Sequence, residues 1–114
     1  MSPHKRLVGK QKLMRIFIGE DDTYKGMPLF KAIVNHCREK GIAGATVIRG
    51  IYGYGSSSVI HSSRTLALSQ DLPIIIEIID TMEKIEEILP DIEEMIKDAH
   101  GIITLELAEI IKYF

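Results

Sequence analysis

The sequence predicts an α+β domain of the ferredoxin-like type, ordered β-α-β-β-α-β, with an antiparallel four-stranded sheet and both helices on one face. Four short segments read as strands, by period-two alternation or by β-branched content: Lys12 to Gly19, Ala45 to Tyr52, Leu72 to Ile79 and Ile102 to Ile111. Two stretches between them, after Pro28 and after Asp80, place apolar residues at helical spacing instead. The chain has 114 residues, 46% hydrophobic and 26% charged. That suits one domain, commonly about 100–200 residues long, and excludes wholesale disorder.

Residues 1–11 carry Lys5, Arg6 and Lys10 without an acid or an apolar period, and read as a flexible basic arm ahead of a domain at 12–114. In the first strand Met14, Ile16 and Ile18 line one face, and Leu13, Arg15 and Phe17 the other. Glu20 to Gly26 is a polar loop. Pro28 opens a helix, where its missing N–H costs nothing. Leu29, Ile33 and Cys37, flanked by Phe30 and Val34, form its apolar stripe, and Gly41 is the stop. The second strand leads into Gly53 to Asp71, rich in Gly and Ser at its start. After the third strand, Asp80 with Glu83 resembles a capping box. The helix that follows buries Ile85, Ile88, Leu89, Ile92, Met95 and Ile96, and Pro90 is expected to kink or split it. Gly101 precedes the last strand.

The formal net charge of −2 argues against a chain built to coat nucleic acid or an anionic membrane. No run approaches the roughly 20 apolar residues of a membrane helix, and the basic start lacks the apolar core of a secretory signal, so a cytoplasmic location is expected. Cys37 is the only cysteine, which excludes an internal disulfide framework and a cysteine-rich zinc site. Twenty isoleucines, no tryptophan and Glu/Lys-dominated charge lean towards a thermophilic source.

Two helices cover one sheet face only. In the third strand Ile74, Ile76 and Ile78 point one way and Ile75, Glu77 and Ile79 the other, so both faces are largely apolar. A solvated antiparallel face should alternate with polar residues. Leaving several isoleucines wet forgoes about 1.5–3 kcal/mol each, and a closed cyclic homo-oligomer relieves this.

No catalytic signature is present: no nucleophile elbow, no His-Glu-x-x-His, no Walker sequence, no Cys-x-x-Cys. The histidines, His4, His36, His61 and His100, are scattered. Gly50, Gly53 and Gly55 follow a strand but open a long loop, which is not the dinucleotide fingerprint. Glycines there permit a bend and the close approach of a ligand. With Ser56, Ser57, Ser58, Ser62, Ser63, Arg49 and Arg64 they form either an anion-holding loop or a mobile polar hairpin tip. Glu20, Asp21 and Asp22 could hold Mg²⁺, though such a trio is more often a solvated turn before a helix. Tyr52 and Tyr54 either stack on a base or pack at a subunit edge. The acidic band from Glu83 to Asp98 is the wet face of the second helix.

RIFIGEDDTYKGMPLFKAI, GIAGATVIRGIYGYG and LPIIIEIID together resemble a prokaryotic family of conserved hypothetical proteins grouped with the PII signal-transduction proteins. The resemblance runs from Leu13 to Tyr113. It implies a PII-like fold, a homotrimer with sheets facing the threefold axis, and adenine-nucleotide clefts between subunits. Gly44, Thr46 and Val47 match the G-x-T-V of PII second strands, and Gly53, Tyr54 and Gly55 match their G-F-G, with one extra residue between. By that likeness Thr46 and Gly53 to Gly55 lie along adenine and ribose, and Glu77 is similar to the Glu of the third strand, one residue early. The glycine-rich phosphate loop of PII proteins is replaced by Asp98-Ala99-His100-Gly101, with Gly101 its one glycine and no lysine, so a mono- or diphosphate fits better than a triphosphate. No loop tyrosine stands between Ser56 and Asp71 to accept a nucleotidyl group.

The leading expectation is a non-enzymatic trimeric sensor. It binds AMP or ADP in intersubunit clefts through Thr46, Arg49, Gly53, Tyr54, Gly55, Ser56, Arg64, Glu77 and Gly101. Its loop 55–71 acts as an order–disorder switch facing a partner protein such as a membrane transporter or channel. The alternative is a trimeric divalent-ion-tolerance protein with ligands among Glu20, Asp21, Asp22, His61 and His100. A small enzyme using His61 or Glu77 as base has no oriented partner in the sequence.

Overall fold

The alternation in the strands is realised as a four-stranded antiparallel sheet in a computed structural model describing residues 7–55, 61–62 and 71–113. The elements are β1 (Gly9–Gly19), β2 (Thr23–Tyr24), β3 (Met27–Pro28), α1 (Leu29–Glu39), β4 (Gly44–Arg49), β5 (Tyr52–Gly53), β6 (His61–Ser62), β7 (Pro73–Asp80), α2 (Met82–Ile96) and β8 (Ile102–Ile110). The main sheet has the order β4-β7-β1-β8; β2 with β3 and β5 with β6 form separate two-stranded ribbons. Without the short ribbon strands this is the expected β-α-β-β-α-β order.

Register sorts the side chains. Ile76 stands between Ile16 on β1 and Val47 on β4, and Ile16 pairs in turn with Ile103 on β8. These side chains, with Met14, Ile18, Ile74 and Ile78, meet Leu29, Ile33 and Cys37 of α1 and Ile85, Ile88 and Ile92 of α2 in one core. On the opposite face Arg15 lies between Glu77 and Thr104, and Glu77 faces Thr46. That face also carries half-buried Leu13, Phe17, Ile75 and Ile79 and exposed Ile48 and Ile102. At its centre Arg15 Nε donates to Glu77 Oε2 at 2.9 Å while its Nη1 reaches Glu106.

Four local expectations are corrected. Strand β1 begins at Gly9 rather than Lys12, so residues 9–11 belong to the sheet and not to an arm; Leu7 and Gln11 are already buried. The second strand ends at Arg49 instead of running to Tyr52. Gly50 N–H donates to the Pro73 carbonyl at 2.7 Å, a Cβ at Gly50 would come within 2.8 Å of Pro73 Cγ, and the chain turns away to pair Tyr52–Gly53 with His61–Ser62. Thr81, not Asp80, caps α2: its hydroxyl accepts from Lys84 N–H at 3.2 Å. Asp80 is buried, accepting from Thr81 N–H at 2.6 Å and from Ala43 N–H at 2.9 Å, and so joins the α1–β4 turn to the end of β7. Pro90 does not split α2, which runs as one helix from Met82 to Ile96; burial of Ile85, Ile88 and Ile92 on one face outweighs the lost backbone hydrogen bond. Among the described residues no helix is long and apolar enough to cross a membrane.

Candidate functional site

Antiparallel pairing brings the end of β1 beside the start of β7 and of β8, and the turn after β4 closes over them. The result is a cleft of about 320 Å³. Phe17, Ile18, Ile74 and Ile102 supply apolar wall; Gly53, Tyr54 and Gly55 form one side; Asp22, Asp71 and His100 are the acidic and basic residues among the described lining. Tyr54 is two-thirds exposed.

The acidic side is held by backbone. Asp71 Oδ1 accepts from Asp21 N–H at 2.8 Å, and Asp22 Oδ2 accepts from Gly19 N–H at 2.8 Å. Glu20 N–H donates to the Leu72 carbonyl at 2.8 Å, tying the β1 exit to the β7 entry. Gly19 leaves room for this arrangement, since a Cβ there would lie 2.6 Å from Asp71 Oδ1 and the carboxylate would have to shift. Burial pushes the Asp22 carboxyl above its ordinary range, the Gly19 N–H opposes this, and the charges of Asp71 and Asp21 add to it, with His100 acting in the lowering direction.

This has a measurable consequence. Because folding raises the Asp22 pKa, its ionised form is disfavoured in the folded state at neutral pH, whereas below the unfolded carboxylate range the protonated form carries no such cost. Asp22→Asn can still accept from Gly19 N–H. It is expected to raise the melting temperature at pH 7, with the gain shrinking to nothing as the pH falls below about 4. Thermal melts across that range check it.

The residues singled out in the sequence divide among three places. Gly53, Tyr54 and Gly55 line the cleft. Gly101 adjoins it and serves close packing, because a Cβ there would meet Ile18 Cγ2, Ile96 Cδ1 and the Phe17 carbonyl at 3.1 Å. Arg49 lies outside the lining and its Nη1 donates to Glu20 Oε2 at 2.9 Å, so its charge is already matched. Thr46 and Glu77 face each other on the open sheet surface, and Glu77 is held by Arg15. Ser56, Arg64 and most of loop 55–71 lie outside the described residues. So does the His61 side chain, although the His61 backbone pairs with Gly53. Among the described residues no three His, Cys, Asp or Glu side chains converge on a point that could hold a metal ion. Within the trio, Glu20 turns to Arg49 and Asp22 to Gly19. Phe17, Asp71 and Ile102 were not singled out. Only the register of β1 against β7 and β8 makes them neighbours, and that register is a property of the fold, not of any local motif.

The model of the DUF190 family, described as uncharacterized ACR, matches residues 11–110. A UPF0166 protein of Aquifex aeolicus is 44% identical over 105 residues, which is 91% of this chain and 96% of that protein. A UPF0166 protein of Methanocaldococcus jannaschii is 37% identical over 103 residues, 90% of this chain and 94% of the relative. Among solved structures, CPII from Thiomonas intermedia, a nitrogen regulatory PII-like protein bound to ADP, AMP and bicarbonate, aligns with a TM-score of 0.66 at 15% identity, covering 89% of this chain and 88% of its own. A candidate PII-like signalling protein from Thermus thermophilus aligns with a TM-score of 0.68 at 22% identity, covering 90% and 91%. The fold is therefore PII-like.

Proposed function

The chain belongs to the DUF190 family, and we propose that it works as a PII-like regulatory protein, a homotrimer that binds AMP or ADP in clefts between its chains. The observation that supports this most is the cleft itself. It sits at the foot of loop 55–71, is lined by the Gly53-Tyr54-Gly55 turn, and belongs to a fold shared with a protein solved with ADP and AMP. Gly53 and Gly55 leave backbone accessible to a ligand, and Tyr54 offers an exposed ring for a base. The trimer is supported by the open sheet face, whose apolar side chains surround the Arg15 ion pairs. A neighbouring chain on that face would bring Thr46 and Glu77, which do not line this chain's own cleft, into a shared seam. The proposed output is ordering of loop 55–71 and, through it, contact with a partner protein such as a transporter or channel; Ser56 and Arg64 are its phosphate-side residues.

Calorimetric titration of the whole protein with AMP, ADP and ATP at millimolar concentration tests the reading. Saturable heats for AMP or ADP are expected. Flat traces for all three would remove the nucleotide from the proposal.

A further inference from the structure

Resting on the nucleotide-cleft reading, we propose that the 320 Å³ cleft takes the uncharged, hydroxyl-bearing end of its ligand, a ribonucleoside, with Asp22 and Asp71 as acceptors for the vicinal ribose hydroxyls and the phosphates left outside.

Size is the first reason. Small-molecule pockets run from about 300 to 1,000 Å³, and this one, at the lower end within a single chain, is of a size for a base and sugar. The second reason is how the walls divide. Phe17, Ile18, Ile74 and Ile102 give an apolar surface for a base, while Asp22 and Asp71 give a polar surface that only accepts hydrogen bonds when ionised. A ribose diol supplies two donors. A phosphate at neutral pH supplies charge of the same sign and essentially no donor. The cation that could reverse this is lacking in the described lining: Arg49 is outside it and matched to Glu20, and His100 is the one basic residue among the described lining residues.

The third reason is that the carboxylates are built in. One oxygen of each is fixed by a backbone N–H, from Gly19 for Asp22 and from Asp21 for Asp71, which leaves the second oxygen of each as an acceptor. Gly19 keeps the space that Asp71 occupies. Hydrogen bonds from a neutral hydroxyl to a fixed carboxylate are among the more discriminating polar contacts, because a ligand lacking the hydroxyl leaves the charged acceptor desolvated and unmatched.

The test uses the full-length protein, calorimetry, and adenosine, 2′,3′-dideoxyadenosine, uridine and inorganic pyrophosphate as probes. Adenosine is expected to bind, and the dideoxy compound to bind about tenfold or more weakly. Asp71→Ala should weaken adenosine and shrink that difference, since Asp22 is left as the one acceptor. Gly19→Ala, which displaces the Asp71 carboxylate without removing it, should do the same, and melting curves report whether each variant is folded. Pyrophosphate should not compete with adenosine. Equal binding of adenosine and its dideoxy analogue by the parent protein overturns the inference while leaving the nucleotide reading intact, as does competition by pyrophosphate. Uridine binding as tightly as adenosine with the same need for hydroxyls supports the inference and overturns the preference for adenine. Absence of binding by every nucleoside overturns the inference; the nucleotide reading falls only if AMP, ADP and ATP also give flat traces.

Discussion

An Ile76→Ala chain is expected to lose about 3–5 kcal/mol of unfolding free energy, the largest stability effect of any single truncation considered for this fold. Ile76 is fully buried at the centre of the ladder, between Ile16 and Val47, with α1 and α2 packed over the same face. Its neighbours on β1 and β4 are held by backbone hydrogen bonds on both sides of β7, so they cannot close over the space that three missing carbons would leave. Domains of this size are stable by about 5–15 kcal/mol, so the loss is a large part of the total. Guanidinium denaturation should show the midpoint falling with little change in slope. Ile75→Ala is the internal control. Its side chain is half-buried on the opposite face, so its intrachain cost is smaller, and any excess that depends on protein concentration reports the covering of that face by other chains.

Arg15→Glu is expected to dissociate the proposed trimer into single chains of 12.8 kDa. Arg15 lies at the centre of the open face and satisfies two carboxylates on the two strands that flank it, Glu77 and Glu106. Reversing its charge places three carboxylates on adjacent strands. In a single chain solvent screens much of the repulsion. Under a neighbouring chain the same group would be desolvated without a counter-ion, which is the severe case. Sedimentation velocity at low micromolar concentration separates the outcomes. Loss of the larger particle with a retained far-UV spectrum is expected, whereas an unchanged sedimentation coefficient would mean that this face is not the contact. Adding Glu77→Leu and Glu106→Leu to Arg15→Met should restore assembly, since replacing a whole ionic group by apolar side chains removes the desolvation problem.

Much of the architecture was legible from periodicity. Ile74, Ile76 and Ile78 announce a strand buried on one face, and Leu29, Ile33 and Cys37 a helix packed against it; both readings rest on local spacing that burial then enforces. The errors sit where a long-range contact overrides a local signal. Asp80 reads as a cap, yet it is drawn instead to the Ala43 N–H across the sheet, and Thr81 takes the cap. Ala45 to Tyr52 reads as one strand, yet Gly50 packed on Pro73 ends the main ladder and Tyr52 pairs in a separate ribbon. The cleft was half visible. Gly53 to Gly55 declare themselves by composition. Asp71, fifty residues from the Asp21 N–H that holds it, becomes a site residue only through the register of β1 and β7. Thr46 and Glu77, carried over from the resemblance, lie on the open face and do not line this chain's own cleft.

A Cβ at position 19 and the Asp71 carboxylate as it stands would contend for the same volume. A larger residue at position 19 therefore obliges the Asp71 side chain to move, away from the place where the Asp21 N–H now holds its oxygen. A relative in which both positions differ is expected to carry a cleft of different polarity on the same strands.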